Sequence, residues 1–155
     1  MREYFSLMYS GKGLPLAQIL QLFATLYPDR LIILNKALDA AAESDAHGFS
    51  KKDEAFALVY KLATTYWEIL EDGGRDTEAR DVFGNNKYAS QETDKLSTEG
   101  QKRRTVLYSN RPYFLQKHLK IGIKDSKAET LRIHFEWLAE EKKILIGHCG
   151  KHLPL

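Results

Sequence analysis

The sequence predicts an α+β protein, with helices first and an antiparallel sheet last. Apolar residues recur at helical spacing through the first half, and from Thr105 the period changes to two. Short connections between the later strands favour an antiparallel meander over parallel crossovers. The composition fits an ordinary globular chain, 43% hydrophobic and 28% charged. Eight Tyr, seven Phe and two Trp supply more aromatic surface than a disordered chain carries. Ten Gly, four Pro and one Cys exclude collagen-like, low-complexity and disulfide-scaffold classes. At 155 residues the chain can bury a core without a metal or disulfide staple.

Three regions follow: an acidic helical region over 1–84, a polar connecting segment over 85–104, and a basic antiparallel sheet over 105–155. Together they are expected to form one unit. Pro15 opens the first helix, which carries Leu16, Ile19, Leu20, Leu22, Phe23 and Leu26, and Pro28 stops it. Asp29 can cap a second helix through Ile32, Ile33, Leu34, Ala37, Leu38 and Ala41, closed at His47-Gly48. Ser50-Lys51-Lys52-Asp53 has capping-box form, with Asp for the usual Glu or Gln. Behind it Ala55, Phe56, Val59, Leu62, Ala63, Tyr66, Trp67 and Leu70 make one broad apolar stripe, ended by Gly73-Gly74. A short helix over 77–83 stops at Gly84. Residues 85–104 offer only Tyr88, Ala89 and Leu96 for burial, which fits a loosely packed helix or a long loop, and a loop that long is unusual unless it is mobile or functional.

Strands are expected over 105–108 and 113–123, flanking a Ser109-Asn110-Arg111-Pro112 turn. After a connection over 124–129, Leu131, Ile133, Phe135 and Trp137 alternate with Arg132, His134 and Glu136. Residues 143–149 form the last strand. One sheet face is expected on the helices and the other in water. Gly147 and Gly150 mark a bend or bulge in that strand.

The overall charge of +2 hides an asymmetry. Residues 1–84 hold nine Lys/Arg against thirteen Asp/Glu, and residues 85–155 hold fourteen against eight. A basic half calls for an anionic partner, RNA or the ribosome ahead of DNA, while the acidic half offers a surface for a protein partner. No apolar run is long enough to cross a membrane, and Met1–Phe5 lacks a secretory stretch. With the lone Cys149, this places the protein in a reducing cytoplasm.

Four of the five histidines, His118, His134, His148 and His152, fall in the last third. A last hairpin pairing Phe135 with Leu145 would gather His118, Lys120, Arg132, His134, Glu136 and His148 on one solvated face; a one-residue slip would turn His148 inward. These residue types suit metal-independent RNA cleavage. Arg132, His134, His148 and Glu136 would supply acid, base and charge stabilisation, and only histidine titrates near neutrality untuned. His118, Lys120, Lys151, His152 and Arg111 would hold the nucleic acid. The opposing possibility is a non-catalytic protein-interaction or nucleic-acid-binding module, part of a larger assembly. No cofactor is implied. For zinc, His148 and Cys149 point to opposite faces of a strand and no paired CxxC or HExxH element occurs, so no metal is expected. Cys149 reads as a small buried hydrophobe. Trp67, Tyr66, Trp137 and Phe135 could line a small-molecule pocket, but their spacing makes them core.

Residues 118–152 resemble the C-terminal sheet of the RelE/HigB/ParE-type bacterial toxin superfamily. The matching pieces are Leu131-Arg132-Ile133-His134-Phe135 and Ile144-Leu145-Ile146-Gly147-His148, ending in Lys151 and His152. The resemblance implies a small bacterial α+β protein. Some members cleave messenger RNA on the ribosome with basic residues of the sheet, and the ParE branch acts against DNA gyrase. It makes Arg132 and Lys151 phosphate contacts and His148 or His152 an acid or base. The chain departs from those shorter proteins in its long acidic helical half and in the polar segment before the sheet.

Overall fold

Residues 13–123 and 126–155 are described in a computed structural model; Met1–Phe5 and the Lys124-Asp125 step of the connection lie outside them. Helix α1 (Leu16–Leu26) begins where Pro15 fixes φ and its carbonyl accepts from Ile19 N–H. Its free N–H groups at Leu16 and Ala17 donate to the Asp45 carboxylate at 2.7 and 3.1 Å, an anion at the positive end of the helix. Asp45 belongs to α2 (Asn35–Ala46), so one side chain ties the two helices together. Helix α3 (Lys52–Lys61) continues through a π-helical stretch (Leu62–Tyr66) into α4 (Trp67–Glu71), and Gly73 at φ +92° lets the chain leave it. Helix α5 (Asp76–Ala79) runs into a 3₁₀ turn (Arg80–Phe83).

Three strands form the antiparallel centre of the sheet: β5 (Lys117–Ile121), β6 (Leu131–Leu138) and β7 (Lys143–Gly150). A two-residue β2 (Tyr88–Ala89) pairs with β5, and β1 (Leu31–Ile33) runs parallel to β7 at the other edge. The order is β1-β7-β6-β5-β2. A separate hairpin joins β3 (Thr105–Tyr108) to β4 (Arg111–Phe114). Its two turn residues, Ser109 and Asn110, both have positive φ, as a tight hairpin turn requires. Helix α6 (Thr98–Arg103) precedes it, with Ser97 Oγ accepting from Gly100 N–H at 2.9 Å. Among the described residues no helix is long and apolar enough to cross a membrane.

The α+β class and the order of helices before sheet are as the sequence predicts. Four details differ. Leu31–Ile33 is a strand rather than the start of a helix, and it adds an N-terminal edge to the C-terminal meander. Residues 113–123 do not form one strand: Arg111–Phe114 stays with its hairpin, and Lys117–Ile121 crosses into the main sheet. Ser50 does not cap α3; its hydroxyl donates to the Ala128 carbonyl, pinning the connection that precedes β6. The last hairpin bulges at Gly147, one of the two glycines expected to bend or bulge, but its pairing is not the expected Phe135–Leu145 one. Phe135 pairs with Ile146 and His134 with His148, leaving Gly147 as the extra residue, where a Cβ would stand 2.4 Å from Leu115 Cδ1.

One sheet face packs on the helices through Leu119, Ile121, Ile133, Phe135, Ile144 and Ile146, with Cys149 beside them. Tyr66 meets Phe135 edge-on at 5.6 Å, so the aromatic stripe is core. Residues Tyr66 and Tyr88 both donate to the Asp76 carboxylate, anchoring β2 to the helices. The expectation of a solvated second face is overturned. A small apolar cluster of Val106, Leu115, Leu138 and Leu145 covers one end of it under the β3–β4 hairpin. Segment 90–104 brings Glu92 and Arg104 against the histidines at the other end.

Candidate functional site

Histidines on β5, β6 and β7 stand directly opposite one another: His118 pairs with His134, and His134 with His148. The bulge makes this possible. The pairing differs from the expected one by two residues on the His134 side of the bulge, which keeps every side chain on its face, and by one on the Phe135 side. The rings of His118 and His134 stack with centroids 4.8 Å apart and planes 24° apart; His134 and His148 meet edge to face at 5.6 Å. The imidazoles are not on a wet surface, since His134 is 2%, His148 6% and His118 9% exposed.

Above the row lie two residues from the segment before the hairpin. Glu92 Oε1 is 2.8 Å from Arg104 Nε, 3.5 Å from His134 Nδ1 and 3.6 Å from His118 Nδ1. Both Glu92 Oε1 and Arg104 Nε are buried, yet neither makes a hydrogen bond, because the N–H is not directed at the oxygen despite the short separation. The rest of the Arg104 guanidinium is well used. It donates to the carbonyls of Gly100, Leu153 and Pro154 at 2.7–2.9 Å, binding the C-terminal tail to α6.

Each imidazole is oriented by a carbonyl, which can only accept. Nδ1 of His118 donates to Gln116 O at 2.9 Å, Nδ1 of His134 to Leu115 O at 3.2 Å, and Nε2 of His148 to Lys151 O at 2.8 Å. One lone pair per ring remains. Burial is the first cause that holds all three below the ordinary histidine range, His134 well below it and His148 at about 4. Surrounding cations push in the same direction: Arg132 and Lys120 on His118, and Lys36, Arg104 and Lys151 on His148. The row is therefore neutral at pH 7, able to accept protons but holding none to donate as an acid.

Glu92, His118 and His134 have the ligand types of a metal centre, with ligand-type atoms within 4.8 Å of one another. The rings contradict that use. Lone pairs lie in the ring planes, and two stacked rings send theirs side by side rather than towards one ion. The Nδ1 atoms nearest Glu92 also face carbonyl oxygens, so they carry hydrogen and cannot ligate.

Of the residues singled out from sequence, the structure brings together His118, His134 and His148, with Lys120, Arg132 and Lys151 around them. Arg132 is buried on the same face, but its Nη1 is committed to the carbonyls of Ile121, Gly122 and Leu131, where it closes the turn after β5. Glu136 lies beyond the bulge and accepts from Lys117 Nζ at 2.6 Å and from Trp137 N–H, which separates it from the expected catalytic group. Arg111 stands at the hairpin tip, beside the β6–β7 turn, and does not join the row. His152 follows β7 at intermediate exposure. Cys149 faces the helices, fully buried, its thiol pushed up to about 12 by burial, which suits packing and not nucleophilic attack.

Glu92, Arg104 and Lys36 belong to the site and are not evident from sequence. Arg104 sits in a Lys102-Arg103-Arg104 run whose three cations look alike. Only the helical offset of four from buried Gly100 marks it as inward-facing. Compared with models of protein families, with curated proteins and with solved structures, the chain matches none.

Proposed function

We propose that the protein engages nucleic acid, RNA first, by recognising phosphate around the histidine row. One observation carries this reading: cations from separate elements, Lys36 of α2, Arg104 after α6, Lys120 of β5 and Lys151 beyond β7, converge on a single line of imidazoles. Permanent positive charge gathered along the row favours an oxyanion. Lys151, 3.7 Å from the Glu43 carboxylate, and His148 also border a hollow with Lys127.

The catalytic form of this reading is metal-independent RNA cleavage of the kind the toxin resemblance implies. Three ring lone pairs beside arginine supply a base and charge stabilisation. The missing acid would arise on binding, because an arriving phosphate favours protonated imidazole and raises its pKa. Binding comes first in this order of events, and cleavage in excess EDTA, with and without ribosomes, is its second test.

Binding of a labelled single-stranded RNA is expected to weaken steeply as salt rises. Lys120→Ala and Lys151→Ala should each lower the slope of log K against log salt by about one or less, since each removes one phosphate contact. Binding that ignores salt, or that neither variant changes, would discard the reading.

A further inference from the structure

The geometry points to Glu92 as an internal occupant of a phosphate site: its carboxylate holds the anion position formed by Arg104, His118 and His134, and segment 90–97 lifts to admit a phosphate group there. This deepens the phosphate reading by stating where the group sits and what keeps it out.

The carboxylate is in the right surroundings and is poorly served by them. It lies within 3.6 Å of Arg104 Nε and of Nδ1 of His118 and His134, whose N–H groups already donate to Gln116 O and Leu115 O, and it makes no hydrogen bond with any of the three. A buried Nε–H and a buried carboxylate oxygen thus sit unsatisfied side by side. A phosphate carries more acceptor oxygens, spread tetrahedrally, and can meet the unpartnered Arg104 Nε–H that a planar carboxylate on a tethered side chain misses.

The segment that delivers Glu92 is lightly held. Among residues 90–97 only Ser90, Glu92 and Leu96 are drawn even partly out of solvent. Residues 91–96 make no described backbone hydrogen bond to another element, and within the segment Lys95 N–H reaches only Thr93 Oγ1. Leu96 is its second anchor, packed where a Cβ on Gly100 would stand 3.1 Å from its Cδ2. Both ends are firm, with β2 paired to β5 and Ser97 capping α6. A stretch with two anchors between fixed ends can open locally without unfolding the sheet.

Calorimetric titration with inorganic phosphate tests this in wild type, in Glu92→Gln, which removes the competing charge, and in Leu96→Ala, which loosens the segment and leaves the Glu92–Arg104 pair intact. A closed state that dominates by about tenfold lowers apparent affinity by the same factor, so each variant should bind phosphate about tenfold more tightly. Should Glu92→Gln fail to fold, Leu96→Ala decides alone. Unchanged or weaker phosphate affinity in folded Leu96→Ala overturns the proposal. A parallel titration with single-stranded RNA separates the two claims: tighter phosphate binding with no RNA binding supports the Glu92 site and removes the nucleic-acid reading.

Discussion

Lowering the pH from 7 to 4 is expected to strip the fold of about 3 kcal/mol through His148 alone. An unfolded histidine takes up its proton near 6.5, whereas buried His148 holds out to about 4. Between those values the unfolded chain binds the extra proton, so stability is full above pH 6.5, falls through the window and levels off below 4. At 1.36 kcal/mol per pKa unit the window corresponds to about 3 kcal/mol, and His134 and His118, shifted the same way, add to it. Urea unfolding at pH 7, 5.5 and 4 measures the loss. In His148→Asn the dependence should shrink by about 3 kcal/mol. An identical slope in wild type and variant would show that His148 titrates freely.

Arg104→Met is expected to be the most damaging single change at the site, costing about 3–5 kcal/mol, because it leaves three backbone carbonyls without their charged donor as well as the Glu92 carboxylate without its counter-charge. The substitution also removes the donor to the Gly100, Leu153 and Pro154 carbonyls, so loss of order at the C-terminal tail should accompany it. Adding Glu92→Leu should recover the share due to the unpaired carboxylate, about 1 kcal/mol, and leave the share due to the three carbonyls. Thermal or urea unfolding of both single variants and the double variant gives the cycle. A cost below about 1 kcal/mol for Arg104→Met would show a pair that water already screens.

Most of the architecture is visible in the sequence because long periodic segments leave little choice. The stripe from Ala55 to Leu70 reads as a buried helix face and is one, and the alternation from Leu131 to Trp137 places Ile133 and Phe135 in the core. Leu31–Ile33 is misread for a physical reason. Three apolar residues carry no period, and the strand exists because β7, over a hundred residues later, offers it a parallel edge. The histidine row was legible in composition and in strand parity, but its exact pairing depends on the Gly147 bulge, and one glycine in a strand does not say whether it bulges or merely bends.

The burial of the row was the least legible feature. Alternation tells which residues share a face, not what lies over it. The cover comes from a polar segment in which Glu92 and Arg104 look like any other exposed charges. Their burial follows from tertiary pairing, which also explains why the expected open acid–base surface becomes a closed, neutral, cation-ringed one.

The nucleic-acid account is tested most directly by following the imidazole signals of the wild-type protein by NMR while single-stranded RNA is added. If phosphate reaches the row, the resonances of His118, His134 and His148 shift together and saturate at one RNA concentration. RNA that binds while those three resonances remain unmoved would contradict the account.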